Sequence, residues 1–116
     1  MQGKVINGMG KATHFMKVYR KKFVPLLGWT PYLGTLNVEL EEPFLLPAKE
    51  SIAEFTKDGR TYGEVGIIPV TVHGETAAII LPKRTSHKQH VIELIAPVSL
   101  RYALGLRTGD YVTILL

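Results

Sequence analysis

Thr35 and Asn37 are the side chains whose type and spacing best suit the binding of a cation. Pro31 and Gly34 stand before them and predict a turn that delivers both residues at the start of a strand. Alternate residues of a strand share a face, so a hydroxyl and an amide oxygen would point the same way. Magnesium prefers oxygen ligands, and these two neutral groups suffice when a triphosphate supplies the negative charge. A structural alternative stays open, in which both side chains only satisfy the turn.

A glycine pair, Gly8 and Gly10, follows the first apolar stretch of the chain. Such glycines let backbone amides approach a phosphate and form an anion-binding nest. The segment is not a Walker loop, because that motif needs glycine where Val5 stands and Ser or Thr where Ala12 stands. The dinucleotide fingerprint fails as well, since Thr13 occupies the place of its third glycine. The pair therefore indicates either a phosphate loop of another kind or an ordinary turn.

Two further stretches carry charged side chains. Residues 81–94 combine cations, hydroxyls and two histidines with Glu93, whose apolar neighbours point to the opposite side of a strand. Glu93 is thus expected to face either solvent or the mouth of a barrel. Arg101 could bind a phosphate or a base, or it could be a surface charge.

The elements that must hold these residues are mostly strands. Alternating or continuous apolar patterns predict six of them, at residues 3–7, 35–40, 65–72, 76–81, 90–95 and 111–116, with His73, Gly74 and Glu75 joining the third to the fourth. Helical patterns are limited to residues 18–27, with Tyr19, Phe23 and Leu26 on one side, and to a short turn at 99–104. A small closed barrel suits this pattern because closure removes the exposed edges of a lone sheet.

Composition restricts the class of protein. The 116 residues fit a single domain over positions 1–116, and the absence of cysteine excludes disulfides and thiolate chemistry. The net charge of +4 is concentrated near residues 17–22 and 83–88, and a modest excess of this kind suits nucleotide phosphates better than a long duplex. No apolar stretch approaches the roughly 20 residues of a membrane span, so we expect a soluble cytoplasmic protein without a membrane partner.

Taken in order, these segments resemble the archaeal-type CTP-dependent riboflavin kinase family. The GTLNV core at residues 34–38 is the most specific element, and PY lies before it. LPKRTSH, IELIAP, SLR and the final GD turn complete a resemblance that covers nearly the whole chain. The family loop commonly reads glycine-x-glycine-glutamate-glycine, whereas Lys11 and Ala12 follow Gly10 here, so a cation stands where the family has an acid.

The resemblance implies a mainly β fold, a six-stranded cradle-loop type barrel with one or two short helices. It implies transfer of a phosphoryl group from CTP to riboflavin, giving CDP and FMN, with Mg²⁺ on Thr35 and Asn37. Glu93 is the candidate for orienting the attacking hydroxyl, and Thr85 and Glu93 would contact the flavin side. The nucleotide would lie against Gly8, Met9, Gly10, Lys11, Ala12, Thr13, Val98, Ser99, Leu100 and Arg101. No obligate protein partner is implied. The alternative is a non-enzymatic barrel that acts as a regulator by binding nucleic acid or a flavin.

Overall fold

The computed structural model describes residues 1–8, 10, 12–83 and 90–116. These residues form nine strands and two helices, so the mainly β class is confirmed. The strands are β1 (Gln2–Ile6), β2 (Leu36–Leu40), β3 (Glu50–Ile52), β4 (Phe55–Lys57), β5 (Arg60–Tyr62), β6 (Val65–Val72), β7 (Glu75–Pro82), β8 (Val91–Ile95) and β9 (Tyr111–Leu115). The helices are α1 (Ala12–Leu27) and α2 (Leu100–Leu104).

Six of the strands pair in a ring with the order β6, β7, β8, β2, β1, β9. The ring returns to β6 where Thr71 pairs with Leu115 and Val72 pairs with Ile114, and every pairing is antiparallel. These are the six strands that the sequence predicts, with ends that differ by at most one residue. β7 begins at Glu75 rather than Thr76, because His73 and Gly74 alone make the turn with positive φ angles of 49° and 82°.

Alternation along the ring strands builds the inner core. β2 shows the pattern clearly. Its residues Leu36, Val38 and Leu40 are buried in one cluster together with residues from all five of the other ring strands. The full cluster contains Val5, Leu36, Val38, Leu40, Ile68, Val70, Val72, Ala77, Ile79, Ile92, Leu94, Ala96, Leu100, Val112 and Ile114. Burying this much apolar surface is the main stabilising term of the fold. Residues of opposite parity face outward, where α1 lies.

Helix α1 covers the outer face of β6 and β7. Met16, Tyr19 and Phe23 follow helical spacing and are buried against Val65, Ile67, Ala78, Ile80 and Ile95. The predicted helix at 18–27 was too short, because the buried stripe already includes Met16. Leu26 is 36% exposed, on an open groove that Ile52 and Phe55 also line, so it lies at the margin of the buried stripe. Neither helix in the described ranges is long and apolar enough to cross a membrane.

The sequence reading missed three short strands, β3 to β5. β4 and β5 form a separate hairpin whose turn residues Asp58 and Gly59 have φ angles of 51° and 76°, as a two-residue type I′ turn requires. Phe55 and Tyr62 stack at 5.3 Å between ring centroids, and both rings meet Tyr19 edge-on. The hairpin thus packs its aromatic side chains on α1.

Strand β6 has different partners at its two ends. On the edge away from β7, residues Val65 to Ile67 pair with β3, and residues Thr71 and Val72 pair with β9. Pro69 lies between the two, and no described strand pairs with it on that edge.

Candidate functional site

Asn37 lies between two strand neighbours that matter for the site. Its backbone is in register with Ile6 of β1 on one side and with Glu93 of β8 on the other. Directly opposed residues of paired strands share a face, so Asn37 and Glu93 lie side by side on the outer face of the ring. Leu36 and Val38 point inward, so the predicted alternation is confirmed. Among the described residues Asn37 is the one buried polar side chain, with 7% of its surface exposed.

Gly8 approaches the Asn37 amide so closely that a side chain at position 8 would require the amide to shift. A Cβ built on Gly8 would lie 2.5 Å from Nδ2 of Asn37. Gly10 is needed for a different reason, a positive φ of 75° just before α1 begins at Ala12. The glycine segment therefore lies directly on the side chain that the sequence assigns to the metal.

Thr13, in the first turn of α1, ties the helix to the chain just before β2. Its hydroxyl donates a hydrogen bond to the carbonyl oxygen of Leu33 at 3.4 Å. Leu33 directly precedes Gly34, so the start of α1 and the turn before Thr35 are held against each other. Two segments that the sequence assigns separately to nucleotide and metal are thus neighbours.

Thr35 carries an unsatisfied polar atom. Within the part of the chain that the structure describes, its Oγ1 is the one buried side-chain oxygen or nitrogen that has no hydrogen-bond partner. Leaving a buried hydroxyl unpaired costs about 1–3 kcal/mol, so native structures rarely tolerate it without a reason. A buried, unpaired hydroxyl oxygen two residues from the amide oxygen of Asn37 is a donor type that a hard cation prefers, and the residue types present therefore fit Mg²⁺.

A pocket of about 200 Å³ joins Thr35 to the start of α2. It is lined by Tyr32, Gly34, Thr35, Leu36, Leu94, Ala96, Val98, Ser99, Leu100 and Arg101. The backbone N–H of Tyr32 donates to the carbonyl oxygen of Ala96 at 2.8 Å, which closes one side of the pocket. All four residues that the sequence groups at 98–101 thus meet the predicted metal ligand Thr35 in one cavity.

The 98–101 residues divide between local structure and the cavity. Ser99 caps α2, accepting a hydrogen bond from the Tyr102 backbone N–H at 3.4 Å, and Leu100 is buried in the inner core. Gly105 ends the helix in a left-handed conformation. Val98 is 43% exposed at the rim. Arg101 is half-buried rather than a free surface charge.

Arg101 connects α2 to the glycine segment. One terminal guanidinium nitrogen, Nη2, donates to the carbonyl oxygen of Ile6 at 3.4 Å and to the hydroxyl of Thr108 at 3.1 Å. The Thr108 hydroxyl in turn donates to Oδ1 of Asn7 at 2.7 Å. The end of β1, the start of the glycine segment and α2 are therefore bound together at one end of the ring.

Comparison with known proteins shows the family to which the chain belongs. A family model named CTP-dep_RFKase and described as Domain of unknown function DUF120 matches residues 5–116. The chain belongs to this family. It is similar to proteins named riboflavin kinase from three archaea: 46% identical over 120 residues in Methanocella arvoryzae, 40% over 116 in Thermococcus kodakarensis and 40% over 124 in Ignicoccus hospitalis.

These CTP-dep_RFKase relatives differ from the chain in length. The alignments cover 100%, 95% and 99% of this chain but 56%, 55% and 69% of the respective relatives. The chain thus spans just over half the length of the first two. The family resemblance seen in the sequence is confirmed over nearly every residue.

Three residues that the CTP-dep_RFKase resemblance assigns to ligands lie outside the described residues: Met9, Lys11 and Thr85. Their roles stay predictions. Among the residues that the structure does describe, no group of three or more His, Cys, Asp or Glu side chains is placed to hold a metal ion. The metal assignment therefore depends on Thr35 and Asn37.

The sequence reading missed a second pocket, of about 270 Å³, on the α1 side of the outer face. Phe15, Tyr19 and Tyr62 contribute aromatic surface, and Pro82 closes it at the end of β7. Tyr19 is fixed there because its hydroxyl donates to the carbonyl oxygen of Gly63 at 2.7 Å. The Asp-Gly turn signal of the hairpin could have revealed β5, but not its packing on α1.

Proposed function

We propose that this member of the CTP-dep_RFKase family is a CTP-dependent riboflavin kinase, which transfers the γ-phosphoryl group of CTP to the 5′-hydroxyl of riboflavin. The products are FMN and CDP. The observation that carries the proposal is the unpaired, buried hydroxyl of Thr35, in a pocket that also reaches Arg101. Riboflavin is proposed as the acceptor substrate because the relatives are named riboflavin kinase.

The nucleotide side of the site consists of backbone and cationic groups. Gly8 and Gly10 would let backbone amides approach phosphate oxygens. Arg101 lines the pocket with donors that suit the same oxygens. The pocket between Tyr32 and the 98–101 segment would take the remainder of the nucleotide. CTP as the donor comes from the family name, and it fits a chain that lacks a Walker loop.

Thr35 and Asn37 would hold Mg²⁺ through the hydroxyl and amide oxygens. The ion, when bound, would neutralise charge on the phosphate oxygens. Asn37 is held for this purpose from both sides, by the backbone pairing with Ile6 and Glu93 and by the close contact with Gly8. Phosphoryl transfer requires alignment and charge neutralisation more than covalent chemistry by the protein, which suits a site with one carboxylate.

The acceptor side is assigned to Glu93 and Thr85. Glu93 is half-buried beside Asn37 in the register of the sheet. We assign it the role of orienting the 5′-hydroxyl of riboflavin and accepting its hydrogen bond. As the new oxygen–phosphorus bond forms, the bond between the γ-phosphorus and its bridging oxygen breaks, the hydroxyl proton passes to solvent water and CDP leaves.

Four sequence expectations belong to the same proposal. The ring of six strands is a closed cradle-loop type barrel, residues 1–116 act as a single domain, the protein is cytoplasmic, and it needs no obligate protein partner. The pairing of β6 with β9 supports the first of these.

The decisive experiment incubates purified protein with riboflavin, Mg²⁺ and each of the four nucleoside triphosphates, and detects FMN by chromatography. We expect CTP to support FMN formation far better than ATP. Equal turnover with ATP would remove the donor assignment. Salt-dependent duplex binding without FMN, or riboflavin binding without FMN, would support a regulator instead.

A further inference from the structure

Thr108 lies in the turn between α2 and β9, which several hydrogen bonds fix in place. Asp110 accepts from the backbone N–H of Arg107 through Oδ2 at 2.8 Å and donates its own N–H to the Arg107 carbonyl at 3.0 Å. Gly109, with a φ of 99°, donates to the carbonyl oxygen of Val5 at 2.8 Å, and the Val5 N–H returns to the Asp110 carbonyl at 2.8 Å. The turn is therefore attached to β1 just before the glycine segment.

The Thr108 hydroxyl uses both of its hydrogen-bonding capacities. It accepts from Nη2 of Arg101 at 3.1 Å and donates to Oδ1 of Asn7 at 2.7 Å. Arginine can only donate, so the hydroxyl proton is directed to Asn7. Asn7 is 101 residues from Thr108 in sequence and directly precedes Gly8. One oxygen thus joins the arginine of the pocket to the first residue of the glycine segment.

Arg101 is anchored through one guanidinium nitrogen, which leaves its other two nitrogens available to a ligand. Both of its hydrogen bonds come from Nη2. Within residues 1–8, 10, 12–83 and 90–116, its Nε and Nη1 make no hydrogen bond, although the side chain lines the pocket beside Thr35. A guanidinium has five N–H donors in a rigid plane. Fixing Nη2 therefore also fixes the direction of the N–H groups on Nε and Nη1.

We propose that Thr108 is a positioning residue for the nucleotide: it holds Arg101 and Asn7 in the arrangement that binds the phosphates of CTP. This inference rests on the proposed function. A ligand group that is already oriented binds more tightly because binding does not have to order it. The loss of Thr108 should therefore raise the KM for CTP and leave the KM for riboflavin unchanged. A purely structural role would lower stability and affect both substrates alike.

The test compares Thr108→Val, which keeps the shape and removes the hydroxyl, with Thr108→Ser, which keeps the hydroxyl. Thr76→Val is the matched control, since Thr76 is an exposed threonine near the β6 to β7 turn, at the opposite end of β9 from Asp110. We expect Thr108→Val to raise the KM for CTP about fivefold to tenfold, with Thr108→Ser and Thr76→Val close to wild type. The melting temperature should not change, because Thr108 is exposed.

A double-mutant cycle separates action through Arg101 from an independent effect. In an Arg101→Ala background, Thr108→Val should raise the KM for CTP less than it does in the wild type, because only the hydrogen bond to Asn7 is left to lose. The inference is overturned if Thr108→Val leaves that KM unchanged, if the serine variant is as impaired as the valine variant, or if the two losses add. A wild-type protein that makes no FMN overturns the proposed function and this inference together, whereas active wild type with unaffected Thr108→Val overturns this inference alone.

Discussion

Nδ2 of Asn37 lies 2.5 Å from the point where a Cβ on Gly8 would be. This contact joins the glycine segment to the middle of the site, because Asn37 is buried and held by strand pairing on both sides. Gly8→Ala should push the amide away from its place. We expect kcat/KM with CTP to fall about tenfold or more, as when the arrangement around a metal site is disturbed. The Mg²⁺ concentration for half-maximal activity should rise, and circular dichroism should show an intact fold. An unchanged magnesium dependence would mean that the contact has no bearing on the metal.

Thr35→Val should separate stability from activity. The variant removes a buried hydroxyl that lacks a partner, which relieves a cost of about 1–3 kcal/mol, so the melting temperature should stay equal or rise. Activity should nevertheless fall about tenfold to a hundredfold, because an oxygen ligand is lost. Thr35→Ser is the control that retains the oxygen and should keep most activity. A destabilised Thr35→Val protein would support the structural alternative, in which the hydroxyl serves the turn.

Asn37→Leu roughly conserves side-chain size and removes the amide oxygen. We expect most activity to be lost while the ring stays folded, because the inner core is built by Leu36 and Val38 instead. Thermal melts by circular dichroism and activity across a magnesium titration measure the two effects separately. Activity and magnesium dependence like those of the wild type would remove Asn37 from the metal site.

Glu93→Gln tests the acceptor side. The substitution keeps the shape but removes the charge and replaces one acceptor oxygen with a donor, so the KM for riboflavin should rise about tenfold while CDP binding, measured by calorimetry, stays unchanged. Glu93 is opposite Asn37, the proposed metal ligand, in the register of the sheet, so the comparison distinguishes the acceptor side from the nucleotide side. Normal riboflavin use combined with weakened CDP binding would assign Glu93 to the nucleotide.

The parts of the site that sequence reasoning found are those fixed by local geometry. Strand alternation predicted that Asn37 faces away from its neighbours Leu36 and Val38, and the helical pattern at 99–104 located α2. The Thr108 to Asn7 bond could not be found this way, since it joins residues 101 positions apart. The second pocket was missed for the same reason, because Phe15, Tyr62 and Pro82 meet only after α1 and the hairpin pack on the ring.

Local signals were also misread where two patterns overlapped. The glycines before α1 predict a loop, and the sequence pattern predicts the helix only from residue 18. The buried apolar stripe of the helix in fact begins at Met16. Asp58 and Gly59 form the strongest kind of short hairpin signal, but the strands they join have three residues each, too few to show alternation.

Pro69 lies on an open edge of β6 and affects whether a second chain can pair with that edge in a concentrated solution. The carbonyl oxygen of Ile67 accepts from the Lys49 N–H at 3.0 Å, so the backbone groups of Ile67 point to the edge of β6 away from β7, and strand periodicity points those of Pro69 the same way. Between β3 and β9 this edge has no described strand partner. An open edge is a template on which a second chain can add a strand and begin to aggregate. Proline supplies no N–H at the centre of that gap, so the ring is protected from edge-to-edge association at its one interrupted seam among the described strands.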